Sequence, residues 1–260
     1  MRFAVKKNYK DIIILVLLAA AFVILIVFEA VKIRFSDDGV LNSLLKEFIP
    51  RIAVGGVLVA VTALLGEKKI LLPKLNRIHF DLLWCIPCFL VVLANFPFTA
   101  LISGNAVIER TDLIWLFVLK CLSVGLMEEA LFRGLVQSTV YGVFDKKPYA
   151  KLKTVAVTSA VFGLFHLLNL FAGAGIGPTL MQVGYSFLIG AMLSAVLFKT
   201  SNLWLCVILH AAFNVGGFIV TDLGTGAFQD TYFWIFTAVA GVICFAHVLY
   251  YLLEIKKKEK

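Results

Sequence analysis

The residue types best suited to chemistry fall in three short stretches. Met127-Glu128-Glu129-Ala130-Leu131-Phe132-Arg133-Gly134 places two carboxylates and a guanidinium inside a largely apolar run, Leu113 to Phe144. His166 follows in Phe162-Gly163-Leu164-Phe165-His166, with Asn169 just beyond it, and His210 and Asn214 stand four residues apart in a third apolar run. An ionised side chain at membrane depth costs about 2.5–3.5 kcal/mol on insertion scales, so it faces a cavity or a partner. Adjacent carboxylates add to that cost, because each opposes the ionisation of the other. Packing is a poor explanation for such a set, and residues 127–134 read as a reaction centre.

Roles follow from spacing. Glu129 and Arg133 share a helix face at i, i+4, with the acid in the favourable N-terminal position. Their ion pair would keep Glu129 charged and hold the helix against its neighbours. Glu128 lies about 100° around the axis. In an apolar pocket beside a charged neighbour it is the carboxylate suited to accept a proton as a general base. The alternative is a buried ion-pair network that only fixes helix packing. His166 alone reads equally as a residue that hydrogen-bonds between helices. His210 and Asn214 occupy one stripe; they either pack through polar contacts or donate two hydrogen bonds towards one point. Gly216 and Gly217 beside them allow another helix to approach closely. His79 reads as interfacial and His247 as a packing residue, while Asn95 and Lys120 lie at membrane depth with no partner evident in the sequence.

The elements that position these residues are long apolar helices. Hydrophobic residues make up 61% of the 260-residue chain and charged residues 15%. Soluble domains have about 45–50% apolar and about 25% charged residues, so the class is all-α, a polytopic membrane helix bundle. The net charge of +8 is spread over alternate loops, which fits membrane topology and not nucleic-acid binding. Cys85, Cys88, Cys121, Cys206 and Cys244 all lie in apolar runs, an odd and scattered set that makes no disulfide framework. Cys85-Ile86-Pro87-Cys88 has redox-motif spacing but no thioredoxin-like surroundings, and reads as small helix residues.

Taken in order, a basic tail (residues 1–11) precedes a retained first crossing from Ile12 to Val31. Its length of about 20 residues exceeds the core of a cleaved signal. A mixed-charge loop, Lys32 to Pro50, leads to a second crossing from Ile52, or from Phe48, to Leu65. The third spans Phe80 to Ile102, with kinks expected at Pro87 and Pro97. The fourth carries the glutamates, the fifth runs from Thr154 to Phe171, and the sixth ends near Phe198. The seventh spans Leu203 to Val220 and the eighth Tyr232 to Leu253. About eight crossings put both termini on one side. The basic segments, including Glu67–His79 and Asp145–Lys153, share that side, and only the first loop is weakly biased, so both termini are expected in the cytoplasm. No linker or repeat divides the chain. Residues 1–260 read as a single integral membrane domain, with a catalytic core at about 112–220 and additional spans in 1–111.

At about 1.5 Å per residue, His166 and His210 lie roughly 10–20 Å from the cytoplasmic helix ends, and Glu128 at a comparable depth. Glu128, His166, His210 and Asn214 can therefore surround one wet cavity. Amide hydrolysis needs a base for water, donors for the oxyanion and a proton source for the leaving amine, and this set supplies each.

Glu-Glu-x-x-x-Arg at 128–133, Phe-x-x-x-His at 162–166 and His-x-x-x-Asn at 210–214, in that order, resemble the CPBP (CAAX protease and bacteriocin-processing, Abi) intramembrane proteases. That family includes the type II CAAX prenyl endopeptidases. The resemblance covers about residues 112–220 and shows no departure at the motif positions. It implies an endopeptidase in which Glu128 and His166 activate water, His210 and Asn214 form the oxyanion hole, and Glu129 and Arg133 support them. A zinc version would use Glu128, His166 and His210 as its ligands. With no His-Glu-x-x-His and with Arg133 close by, no cofactor is the favoured reading. The expected substrate is a small membrane-embedded peptide or protein in the lipid bilayer, and the expected setting a bacterial plasma membrane. Two other classes remain at this stage: a proton-coupled transporter, which would call for an inverted repeat that the sequence lacks, and an immunity or scaffolding protein without turnover, which would call for degraded motifs.

Overall fold

The computed structural model describes residues 33–73, 76, 78–171 and 173–258, with isolated positions 16, 20 and 23 before them. The expected first crossing and basic N-terminal tail fall almost wholly outside these residues. The described chain is an all-α bundle with one small pair of strands. In order it contains α1 (Gly39–Leu64), α2 (Lys68–Leu71), α3 (Ile78–Trp84), α4 (Ile86–Ala94), α5 (Phe98–Ser103), β1 (Ala106–Ile108), α6 (Ile114–Glu129) and α7 (Gln137–Phe144). It continues with α8 (Ala150–Phe165), α9 (Ile176–Thr200), α10 (Leu203–Leu223), β2 (Gly224–Gly226) and α11 (Thr231–Lys258). Among the described residues, six helical segments are long and apolar enough to cross a membrane: Gly39–Leu64, Ile86–Ser103, Ala150–Leu170, Ile176–Thr200, Leu203–Leu223 and Thr231–Glu254. The chain is an integral multi-pass membrane protein.

Three of the long helices start at an Asp or Asn whose side chain accepts an orphan backbone N–H of the first turn. Asp38 accepts from Leu41, Asn202 from Leu205 and Asp230 from Phe233. The cap at Asp38 corrects the expected loop from Lys32 to Pro50, because α1 begins at Gly39 and carries Pro50 inside it. Its charges do not end the helix because they find partners: Glu47 pairs with Arg51 one turn on, and with Lys120 of α6. Pro87 and Pro97 fall at breaks, Pro87 in the first turn of α4 and Pro97 capping α5.

The glutamate-bearing run is helical throughout, but not uniformly so. Between α6 and α7, residues Ala130–Val136 form a π-helical segment. That interruption is why the run is absent from the six regular spans: its α-helical parts are 16 and 8 residues long. α6 lies between α1 and α10, and α8 lies along α9. Close approach is enabled by glycine at two contacts: a Cβ at Gly125 would sit 2.9 Å from the Val207 carbonyl, and one at Gly216 2.8 Å from that of Asn95. β1 and β2 pair antiparallel with Val107 opposite Thr225, joining the loop before α6 to the end of α10. Neither three-residue strand carries a signal in the sequence.

Candidate active site

α6 delivers Glu128 to a cavity of about 590 Å³, and the start of the 3₁₀ segment His166–Leu170 delivers His166. α10 contributes His210 and Asn214, so all four residues expected to react line one space. Glu129 lies just behind them, fully buried.

His210 sits between the two carboxylates. Its Nδ1 is 2.7 Å from Glu129 Oε1, and its Nε2 is 3.7 Å from Glu128 Oε2. A carboxylate can only accept at this contact, so Nδ1 donates its proton to Glu129. The wider gap to Glu128 exceeds a hydrogen bond and leaves the two groups at ion-pair distance only. Glu129 Oε1 is also 3.0 Å from Arg133 Nη1, as the i, i+4 spacing implied. That contact has ion-pair distance without hydrogen-bond geometry, for Arg133 Nη1 and Nε have no hydrogen-bond partner among the described residues. The guanidinium is otherwise held by Nη2 donating to the Gly190 carbonyl at 3.2 Å, and by the Phe162 ring, 4.5 Å from its Cζ.

His166 is oriented from its own helix. Its Nδ1 lies 3.0 Å from the Phe162 carbonyl, which can only accept, so Nδ1 carries a proton, and in the neutral form of the ring Nε2 is the acceptor. Phe162 is the residue whose role the sequence left open. Its ring lies edge-to-face with both His166 and His210, at 5.1 and 5.9 Å between centroids, and so spaces the two imidazoles. Asn169 is engaged elsewhere, donating to Gln182 Oε1 at 2.8 Å.

The partners missing from the sequence are long-range. Lys120 Nζ pairs with Asp222 at 2.8 Å and Glu47 at 3.2 Å, and these residues with Arg51 form a second charged group on the same cavity. Asn95 donates to the Phe213 carbonyl at 2.7 Å. His247 lies away from the cavity against Trp84, as a packing residue would. The five cysteines are free and buried, and Cys88 meets Cys244 at 4.0 Å in the α4–α11 core. Among the described residues, no three His, Cys, Asp or Glu side chains are grouped so as to hold a metal ion. Glu128, His166 and His210 border one space without converging in that way.

Fold and site together define a multi-pass membrane protein with a buried carboxylate–imidazole cavity. Residues 110–216 match the family model described as type II CAAX prenyl endopeptidase Rce1-like. That segment carries all three motifs and bears out the resemblance drawn from them. No curated protein and no solved structure matches the chain. The family match and the apolar helices support a membrane protease of the CAAX type, a hydrolase acting at the bilayer.

Proposed function

We propose that the chain is an intramembrane endopeptidase in which Glu128 and His166 activate a water molecule. His210 and Asn214 then hold the developing oxyanion, and Glu129 and Arg133 position His210. The observation that carries this reading is the convergence of Glu128, His166, His210 and Asn214 on one cavity. Glu128 Oε2 is buried there without a hydrogen-bond partner among the described residues, as befits a group meant to take a proton from a reactant. In the neutral ring Nε2 of His166 is an acceptor, suited to share that proton and return it to the leaving amine.

For His210 to donate through Nε2, its ring must carry protons on both nitrogens, since Nδ1 already donates to Glu129. Glu129 would balance that cation, with the Arg133 guanidinium beside the same carboxylate oxygen. Oxyanion donors contribute about 2.7–4 kcal/mol each in comparable sites. The mechanism proposed is metal-free, a choice that follows from the guanidinium next to Glu129, which opposes a second cation there. Restoration of activity by zinc after chelation would reverse this choice.

The substrate is read as a membrane-associated peptide or protein, and the whole chain as one membrane domain with its catalytic core in 112–220. The test is quantitative proteomics of the membrane fraction, comparing wild type with Glu128→Ala and His166→Ala. A shared set of uncut precursors in both variants is expected. The same membrane proteome in all three strains would remove the protease reading.

A further inference from the structure

We infer that the amides of Asn169 and Gln182 hold the main chain of the substrate beside the reacting groups, so that the cavity takes its peptide in an extended form; the inference rests on the protease reading above. Both residues line the same cavity, and the mechanism makes no other use of them. Asn169 Nδ2 donates to Gln182 Oε1 at 2.8 Å, joining the 3₁₀ segment His166–Leu170 to α9. A primary amide has one oxygen and one NH₂ group, so this bond leaves Asn169 Oδ1 as an acceptor and Gln182 Nε2 as a donor. Nε2 carries two protons, and its contact with the Tyr185 hydroxyl uses at most one of them. A donor and an acceptor remain, the complement of the C=O and N–H that a peptide main chain presents.

Local geometry sets the distance from this pair to the chemistry. Side chains three apart eclipse in a 3₁₀ helix, which rises about 2.0 Å per residue. Asn169 therefore projects on the same side as His166, about 6 Å further along the axis. An extended chain advances about 3.3 Å per residue, so that offset equals about two residues of substrate. In a regular α-helix Asn169 would be turned about 60° from His166, which gives the tightened end of α8 a purpose. Other amides at membrane depth are used differently. Asn95 and Gln137 are buried and donate to carbonyls of neighbouring helices, Phe213 and Ser194, so they fix packing. Asn169 and Gln182 are only half-buried and bond to each other on the cavity wall.

The probe is a synthetic peptide copying the cut segment of a precursor that accumulates in the Glu128→Ala strain, with analogues in which each backbone N–H in turn is replaced by an ester oxygen. With purified wild type, an ester about two residues from the cleaved bond should raise KM by about 3–10-fold with kcat retained, the loss expected for one neutral hydrogen bond. Asn169→Leu combined with Gln182→Met should raise KM for the all-amide peptide by a similar factor and abolish the difference between amide and ester. The exchanged pair, Asn169→Gln with Gln182→Asn, should restore both. An ester scan of the wild type with no position-specific penalty, or a penalty that persists in the Leu/Met variant, would overturn the inference and leave proteolysis standing. So would a Leu/Met variant in which kcat and melting temperature fall together while KM holds, the mark of a purely structural tie. If no precursor accumulates, or if wild type and Glu128→Gln cut the peptide alike, the protease reading falls and this inference with it.

Discussion

Two charged groups share one cavity, and they are built differently. In the outer group, Lys120 is shared by Asp222 and Glu47, and Arg51 closes the set, so positive and negative charges balance. In the inner group, Glu129, Arg133 and His210 satisfy one another only in part, and Glu128 Oε2 is left with no hydrogen-bond partner among the described residues. Buried charge that is fully paired fixes helices, and removing one partner strands the others. Buried charge with an open acceptor is poised to bind or react. Depth alone does not distinguish the two; the state of the partners does.

The contrast breaks most sharply at Glu128. Glu128→Gln should lower cleavage by about 10²–10⁴-fold, the range for loss of a general base, with thermal stability in detergent unchanged. An equally large effect on melting would place Glu128 with the structural group. Lys120→Met should do the opposite. It leaves the half-buried Asp222 without its cation while Glu47 keeps Arg51, a loss of about 1–3 kcal/mol read as a lower melting temperature, with activity retained in the folded fraction. Adding Asp222→Asn to that variant should recover most of the stability, because no charge is then stranded.

Smaller effects test the frame around the two groups. Gly125→Ala pushes a methyl to 2.9 Å from the Val207 carbonyl and should cost about 1–3 kcal/mol, measured by chemical or thermal unfolding. It separates α6 from α10 and should slow cleavage through the Glu129–His210 contact. The smallest effect lies at the α1 cap. Asp38 is held at about 2, below its ordinary 3.8, chiefly by hydrogen bonds from Arg110. Its contribution is complete above 3.8 and is lost as the pH falls through about 2. The difference in melting between wild type and Asp38→Asn should therefore shrink across that window, and a constant difference would show that Asp38 acts only through shape.

The sequence made the inner group readable because its spacing is local. Glu129 with Arg133, and His210 with Asn214, are one turn apart, and apolar flanks reveal their depth. The outer group was illegible for the converse reason. Lys120 finds Asp222 102 residues away, and no helical period connects them. Helix ends moved where local capping overrode charge composition, as at Asp38. The small strands depend on the meeting of two distant loops, so neither Ala106–Ile108 nor Gly224–Gly226 announces itself. Glu128 meets His210 Nε2 more closely than spacing alone could say, because that distance is set by α6 packing on α10.

The wide turn at Ala130–Val136 also lets the fourth crossing absorb a change in chain length. A π turn holds one residue more than a regular turn, so shortening this stretch by a single residue would let it relax into ordinary helix with the part beyond still in phase. Gln137, whose amide donates to the Ser194 carbonyl at 3.1 Å, would keep its place against α9. The same deletion between His210 and Asn214, where α10 is regular, would rotate everything beyond it by about 100° and part the two residues. A one-residue deletion should therefore be tolerated far better within 130–136 than within α10.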